Sequence, residues 1–461
     1  MAPALRAAEG EIPYRDFYLF TTPGAVFLYA GFFKLFGTSI WSSSICLLLC
    51  RSLSVGGIFL ISRSIMPTYA AVMPPLVYLF SFLHEPSNYA NHWLANFAFL
   101  PALFLLVRHA EKPSSGRSFW AGILISMAGM TLQTFGVILL LTGIVAVLPN
   151  RRYAGYWLLG VSLGAAPWFL YLAYHQALAA FWNDVISSNL YRSGSESVNP
   201  GTFLRLSLNQ LFENPGYLPI FLLLFLPPIL GFVGPLVEFR KNKPSPPVLV
   251  IYIASILMML HCFYRLLESQ LLMHHFLSVV MTFWWLSQIP SRKLSQCLMV
   301  LPVLLALPSA YGYLDRQFQS ERVWLELPQG RTWTHTAREA ESLAQLRDFL
   351  DNHLQPGEPV LLLPYVPNLY FLMDLEHATR YSQLRSRQYS REQMAEVLED
   401  LRAQSWPKVI YFPIYESEQF LWANWPDQPP ELYYQQRDWF HSLLFEHYRK
   451  RDFGALWLLE P

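Results

Sequence analysis

A polytopic α-helical membrane protein of about ten crossings, with a C-terminal extracytoplasmic α/β domain, is the fold class this sequence predicts. Three observations carry it. Of the 461 residues, 53% are hydrophobic and 14% charged, against roughly 25% charged in an average soluble domain. Charge is also segregated: residues 314–461 hold 22 of the 32 acids and 15 of the 33 basic residues, so the first 313 residues carry 10 acids. Finally, basic residues gather in alternate short loops, as the positive-inside bias of membrane proteins requires.

The first element is the stretch GEIPYRDFYLFTTPGAVFLYAGFFKLFG, Gly10 to Gly37. Its apolar part after Pro23 is too short to span a bilayer that needs about 20 helical residues. It reads as a helix lying in the interface, with Lys34 snorkelling to the headgroups. Residues 1–40 therefore form an outer loop with an interfacial helix. Met1 to Glu9 has no apolar core and does not read as a signal peptide.

Residues 41–313 form the transmembrane body. Its expected crossings are Trp41 to Ser62, Met66 to His84, Tyr89 to Val107, Ser118 to Met130, Thr131 to Leu148, Tyr153 to His175, Pro215 to Val237, Pro247 to Leu266, Gln270 to Gln288 and Leu294 to Tyr313. Ser118 to Pro149 is one apolar run, and as one helix it would measure about 48 Å against a hydrocarbon core of about 30 Å. It is therefore split near Thr131 to Gln133. Loops carrying Arg63, Arg108, Lys112, Arg117, Arg151, Arg152, Arg240, Lys241, Lys243, Arg292 and Lys293 belong in the cytoplasm. That count and orientation put both chain ends outside, so Asp16 and the tail share one side.

The tail, residues 314–461, reads as an α/β domain. Helices are expected over Thr336 to Leu354, Arg391 to Gln404 and Leu432 to Arg449, alternating with strands in PVLLLPY, KVIYFPIY and FGALWLLE. It shows no phosphate-binding glycine loop, nucleophile triad or metal-ligand spacing.

Several function classes are disfavoured. A net charge of +1 argues against a nucleic-acid binder or a polybasic peripheral protein. Cys46, Cys50, Cys262 and Cys297 lie in apolar segments without a CxxC pair, against a disulfide framework or zinc site. Nothing in the sequence requires a cofactor, and a divalent metal is left open.

The candidate chemistry lies at the outer boundary. Asp16 beside Arg15 suits a general base facing a lipid-borne substrate, the alternative being a surface ion pair. Arg51 stands mid-helix in CLLLCRSLSVGG, where an arginine costs about 2.5–3.5 kcal/mol on insertion scales and must face a polar partner or cavity. It either holds an anionic substrate or bonds structurally to Ser42, Ser44, Ser54 or helix ends. Asn88, Asn91, His92, Gln133, Arg192, Arg265, Glu268, His274 and His275 fall at the presumed outer ends of crossings. Its cations suit a phosphate through charge-assisted bonds, or serve as interfacial anchors.

The Gly10 to Gly37 stretch, followed by an arginine-containing crossing, resembles the first outer loop and following helix of GT-C membrane glycosyltransferases. The bacterial dolichyl-phosphate-mannose-protein mannosyltransferase-like and aminoarabinose-transferase-like enzymes are the nearest in pattern. The AGILISMAGMTLQTFG segment and an outward tail with PGEPVLLLPY extend the likeness. The resemblance implies transfer of a sugar from a polyprenyl-phosphate-linked donor to a hydroxyl of a lipid, glycan or protein acceptor, outside the cytoplasmic membrane of a bacterium. It implies a single inverting displacement with Asp16 as base, and phosphate contact by Arg15, Lys34 or Arg265. It also implies a preceding crossing and an acidic pair, for which only Glu9 and Glu11 stand nearby, and a basic residue where this chain has Gln133. A transporter or flippase, or an inactive scaffold of the same architecture, remains the alternative. A transporter would favour paired broken helices or internal repeats, which the sequence lacks.

Overall fold

The computed structural model describes residues 1–82, 90–188, 190, 200–262, 274–319, 322–334, 336–384, 389–416 and 430–461. The chain divides into two compact units. One gathers Met1–Cys46, Tyr171–Ser197 and Ser320–Pro461; the other holds Leu47–Leu170 and Val198–Gln319.

The second unit holds most of the apolar helical residues, while the start of Ile40–Arg63 and the end of Gln133–Tyr174 belong to the first. Four helical runs among the described residues are long and apolar enough to cross a membrane: Ile40–Arg63, Asn91–Glu111, Gln133–Tyr174 and Pro215–Lys241. Shorter apolar helices include Pro246–Cys262 and Phe276–Ser287. The long apolar run breaks where its length demanded. Helix Ser115–Thr131 ends, Leu132 alone is extended (φ −149°, ψ 110°), and helix Gln133–Val147 begins. The reversal is tight: a Cβ built on Gly136 would lie 2.5 Å from the Cα of Gly129. Gln133–Tyr174 is likewise divided, by the 3-10 turn Leu148–Tyr153 with Asn150 out of helical geometry.

Other expected spans differ in detail. The second is two helices, Thr68–Ala71 and Met73–Phe82, rather than one. The last, Arg292–Gln319, carries Pro302 and Pro308 and continues six residues past Tyr313. The Gln176 to Asn214 loop also contains structure, including a π-helical turn Trp182–Ser187 and helix Pro200–Glu213.

Small residues let the helices approach. Gly122 lies against the backbone of Trp157 and Val161, and Gly160 against the carbonyl of Phe119. Two hydroxyls cross the same seam, Ser118 Oγ donating to Tyr153 O (3.0 Å) and Ser126 Oγ to Val161 O (2.6 Å). Such contacts drive association in lipid, where apolar surface alone gives little preference for another helix.

In the first unit, helix Gly24–Phe36 follows Pro23 and ends at Gly37, which has φ +81°. Its 13 residues rise about 20 Å, short of a bilayer core. Ala25, Val26, Tyr29, Ala30 and Phe33 are buried, while Lys34, Leu35 and Phe36 are exposed.

The tail holds a four-stranded mixed sheet and a separate hairpin. With β1 Val323–Leu327, β2 Gly330–Thr334, β3 Leu361–Leu363, β4 Val409–Tyr411, β5 Arg449–Asp452 and β6 Trp457–Glu460, the sheet order is β3-β4-β6-β5. β3 and β4 are parallel and the other pairs antiparallel. One face presents Leu361, Leu363, Val409, Tyr411 and Leu459 to a core shared with Met394, Val397, Leu401, Phe440, Leu444 and Tyr18. Leu362, Ile410 and Leu458 alternate onto the other face and are no more than 1% exposed, so the sheet is covered on both sides.

Helices Ala337–His353 and Arg391–Ala403 fall as expected, but the last helix, Pro430–Phe445, stops before Arg449. The chain turns there into a β-hairpin closed by Asp452 Oδ1, which accepts from Gly454 N at 2.8 Å. The β1–β2 hairpin was not legible in the sequence, because Pro328-Gln329 lacks the Asn-Gly or Asp-Gly that announces a two-residue turn.

Helix Arg391–Ala403 opens with a capping box. Ser390 Oγ accepts from Gln393 N (3.3 Å), and Gln393 Oε1 accepts from Ser390 N (3.0 Å). Replacing Ser390 with alanine is expected to cost ~1 kcal/mol, seen as a lower melting temperature of the purified protein with unchanged helicity.

Candidate active site

In the first unit the YRDF motif is a closed loop. Ile12 N donates to Asp16 Oδ2 (2.7 Å), Asp16 N donates to Ile12 O (2.9 Å), and Tyr14 N donates to Phe17 O (2.8 Å). Tyr14 takes φ +69° to close it, and its hydroxyl donates to Thr21 O at 2.8 Å. A non-glycine residue there is strained, so surrounding contacts must hold it. The buried Tyr14 ring meets Phe181 edge-on at 5.2 Å.

Asp16 sits at the rim of this loop with its side chain 28% exposed. Arg15 grips both carboxylate oxygens, Nε to Oδ1 at 2.8 Å and Nη2 to Oδ2 at 2.9 Å. That bond first, and the Ile12 amide with it, holds the Asp16 carboxyl below its usual range. Arg6, from helix Ala2–Glu9, closes the loop from behind: Nη2 donates to Asp16 O (2.7 Å) and Nε to Glu11 Oε2 (2.7 Å). Glu9 titrates above its usual range, because of burial first and then the neighbouring charges of Glu376, Glu11 and Asp374.

Behind the loop lies a buried ionic network that sequence reasoning missed. Asp184, on the π-helical turn, has a side chain 1% exposed and pairs with Arg380 Nη2. Arg380 Nη1 bonds Glu396 Oε1 at 3.0 Å, and Tyr381 Oη donates to Glu396 Oε2 at 2.7 Å. The Arg380 carbonyl accepts from Tyr18 N at 2.8 Å, joining the network to the first loop. Burial pushes the Asp184 carboxyl up to about 7, against the opposing pull of Arg380. A sequence separation of 196 residues left no signal for this pair.

The remaining candidates fall in different places. Lys34 is exposed on the last turn of helix Gly24–Phe36, in the first unit. Arg51, Gln133, His274 and His275 belong to the second. The Arg51 guanidinium lies 4.6 Å from the Trp93 ring centre, so an aromatic face is one of its partners, while Ser42, Ser44 and Ser54 donate to the carbonyls of Gly37, Ile40 and Cys50. His274 gathers two further histidines: its ring lies 4.7 Å from His92 and 5.2 Å from His261. Phe135, two residues after Gln133, closes on His274 at 5.5 Å. His274 and His275 are both buried, 2% and 1% exposed. Arg192, Arg265, Glu268 and Asn88 lie outside the described residues. No group of three or more His, Cys, Asp or Glu among the described residues could hold a metal ion.

No family model and no curated protein matches this chain. Solved structures do. ArnT from Cupriavidus metallidurans bound to undecaprenyl phosphate aligns over 99% of this chain and 92% of its own, with 14% identity and a TM-score of 0.59. An Archaeoglobus fulgidus oligosaccharyltransferase complexed with zinc and sulfate covers 91% of this chain and 64% of its own, with 13% identity and a TM-score of 0.52. The archaeal oligosaccharyltransferase AglB from the same organism, with an inhibitory peptide and a dolichol-phosphate, gives 12% identity and a TM-score of 0.50 over 91% of this chain and 65% of its own. At these identities the likeness is one of fold, and this chain has the GT-C fold of membrane glycosyltransferases, with apolar helices and a C-terminal sheet-bearing region.

Proposed function

We propose that the protein is a membrane glycosyltransferase that takes a sugar from a polyprenyl-phosphate-linked donor and delivers it to an acceptor hydroxyl on the extracytoplasmic side of a bacterial inner membrane. The observation that carries this reading is the GT-C fold, seen with undecaprenyl phosphate in one neighbour and dolichol-phosphate in another. The partly exposed Asp16 in the first loop supplies a carboxylate suited to the chemistry.

In the proposed step, Asp16 accepts the proton of the acceptor hydroxyl as that oxygen bonds to the anomeric carbon. The bond from that carbon to the phosphate oxygen breaks on the opposite face, the configuration inverts, and the polyprenyl phosphate leaves with the bonding pair. A phosphate leaving group is already a stable anion, so cations matter there more than an acid. Arg15 is half exposed; turning toward the donor phosphate, it would stabilise the leaving group and release Asp16, whose carboxyl then rises toward its ordinary range. Lys34 and Arg265 are further candidates for that phosphate. Arg51, Gln133, Arg192, Glu268 and the His274–His275 pair are proposed as further substrate-binding residues.

The test is turnover of a polyprenyl-phosphate sugar by the purified protein in lipid nanodiscs. Asp16→Asn is expected to lower the rate by about 10²–10⁴-fold, with stability changed by no more than the ~0–1 kcal/mol of a partly exposed ion pair. An unaltered rate would remove Asp16 as base, and Glu9→Gln would be measured next because Glu9 titrates above the usual range.

A further inference from the structure

The β1–β2 hairpin is attached to the start of a membrane span. Ile40, the first residue of helix Ile40–Arg63, donates its N–H to Gln329 O at the hairpin tip (3.1 Å). Gln329 Nε2 in turn donates to Asp374 Oδ1 at 2.6 Å, which fixes the tip. Trp41, the second residue of the span, is 47% exposed and lies 6.0 Å from the Trp333 ring. Trp333 is paired across the hairpin with Trp324, ring to ring at 5.4 Å.

Cations cover these rings. Arg331 lies 4.5 Å from the centre of Trp324 and Arg322 lies 5.3 Å from that of Trp333. Glu326 stands opposite Arg331 on the same face, at 3.4 Å. Leu35 and Phe36, just ahead of the span, are 77% and 67% exposed, and Trp324 is 42% exposed.

Exposed Leu, Phe and Trp beside arginines are costly in bulk water and are favoured where lipid meets water, with the rings at the level of the headgroups. Trp41 ends a span and so marks that level. Trp333, tilted beside it, and Trp324, edge-on to Trp333, lie within a side chain or two of the same depth. Lys34, Arg322 and Arg331 outnumber Glu326 and Asp374 around this surface, which matches an anionic phosphodiester rather than a neutral one.

We propose that the Trp324–Trp333 face of the hairpin is an interfacial anchor that binds the headgroups of anionic phospholipids and sets the height of the tail at the bilayer. The proposal does not depend on the sugar transfer proposed above.

Nitroxide labels test it on the full chain in nanodiscs, in a Cys297→Ser background because Cys297 is exposed while the other cysteines are buried. One label goes on Glu326→Cys, which keeps both tryptophans and both arginines. A second goes on Glu399→Cys, exposed on helix Arg391–Ala403. The ratio of collision with oxygen to collision with a water-soluble nickel chelate is expected to be several-fold higher at position 326. It should rise further when phosphatidylglycerol is mixed into phosphatidylcholine discs. Arg322→Gln with Arg331→Gln should abolish that second increase and spare the first. Equal ratios at the two positions overturn the anchor; a high ratio at 326 that ignores phosphatidylglycerol overturns its preference for anionic headgroups.

Discussion

Replacing Arg380 with alanine is expected to destabilise the protein by about 3–5 kcal/mol, the cost typical of removing one partner of a buried ion pair. Asp184 would keep its buried position with its guanidinium gone. Glu396 and, through it, the Tyr381 hydroxyl would lose their shared cation. Three stretches distant in sequence meet at Arg380: the first loop through Tyr18, the π-helical turn through Asp184, and helix Arg391–Ala403 through Glu396. The melting temperature should therefore fall together with protease resistance of the tail. Replacing both Asp184 and Arg380 by apolar residues should cost less than either alone, since no buried charge is then left uncompensated. A double variant as unstable as the sum of the singles would remove the coupling.

This pair also makes stability depend on pH, with a sign that can be worked out. Asp184 titrates at about 7 in the folded protein, well above the ~3.9 of an unfolded aspartate. Between those values the folded state holds a proton that the unfolded state has lost. The associated stabilisation is complete below the unfolded value and disappears as pH rises through about 7. The wild-type melting temperature should thus decline from pH 5 to pH 8, Asp184→Asn should flatten that decline, and the deficit of Arg380→Ala should be smaller at pH 5, where Asp184 is neutral.

Gly160→Val is expected to be the most damaging single substitution in the helical body. A Cβ at Gly160 would lie 2.1 Å from the carbonyl oxygen of Phe119, and one at Gly122, on the facing helix, 2.4 Å from that of Trp157. Backbone on backbone leaves no side chain to swing aside. Relief requires separating helices Ser115–Thr131 and Ala154–Tyr174, and the Ser118 and Ser126 hydroxyl bonds would go with the seam. The cost should reach or pass the upper end of the ~1–3 kcal/mol usual for an overfilled core. Gly155→Val, in the same helix but with nothing within 4 Å of its Cβ position, is the control. Equal melting temperatures for the two variants in detergent would show that the seam contributes nothing.

How much of this was legible in the sequence depended on range. Local signals were reliable. The break at Leu132 followed from the length of an apolar run, and the capped helix Arg391–Ala403 from its periodicity. Helix Pro430–Phe445 was overextended because the charged strand RKRD has no apolar alternation to distinguish it from the end of a helix. The candidate base was legible as a residue, although not its grip by Arg15, Arg6 and the Ile12 amide. Long-range pairs were invisible. Asp184 lies 196 residues from its partner, and the histidines at 92, 261 and 274 come from three separate helices or their approaches. Trp324 and Trp333 were indistinguishable from any interfacial aromatic until the hairpin set them opposite each other.

One of the two edge strands of the tail sheet, β5, is exposed at every residue and reads Arg449-Lys450-Arg451-Asp452. An open sheet edge invites strands from other molecules to add on. Here a second copy would have to bring the same dense positive fringe against itself. Crowded side by side in a membrane, these molecules carry a built-in deterrent to zipping together through that edge.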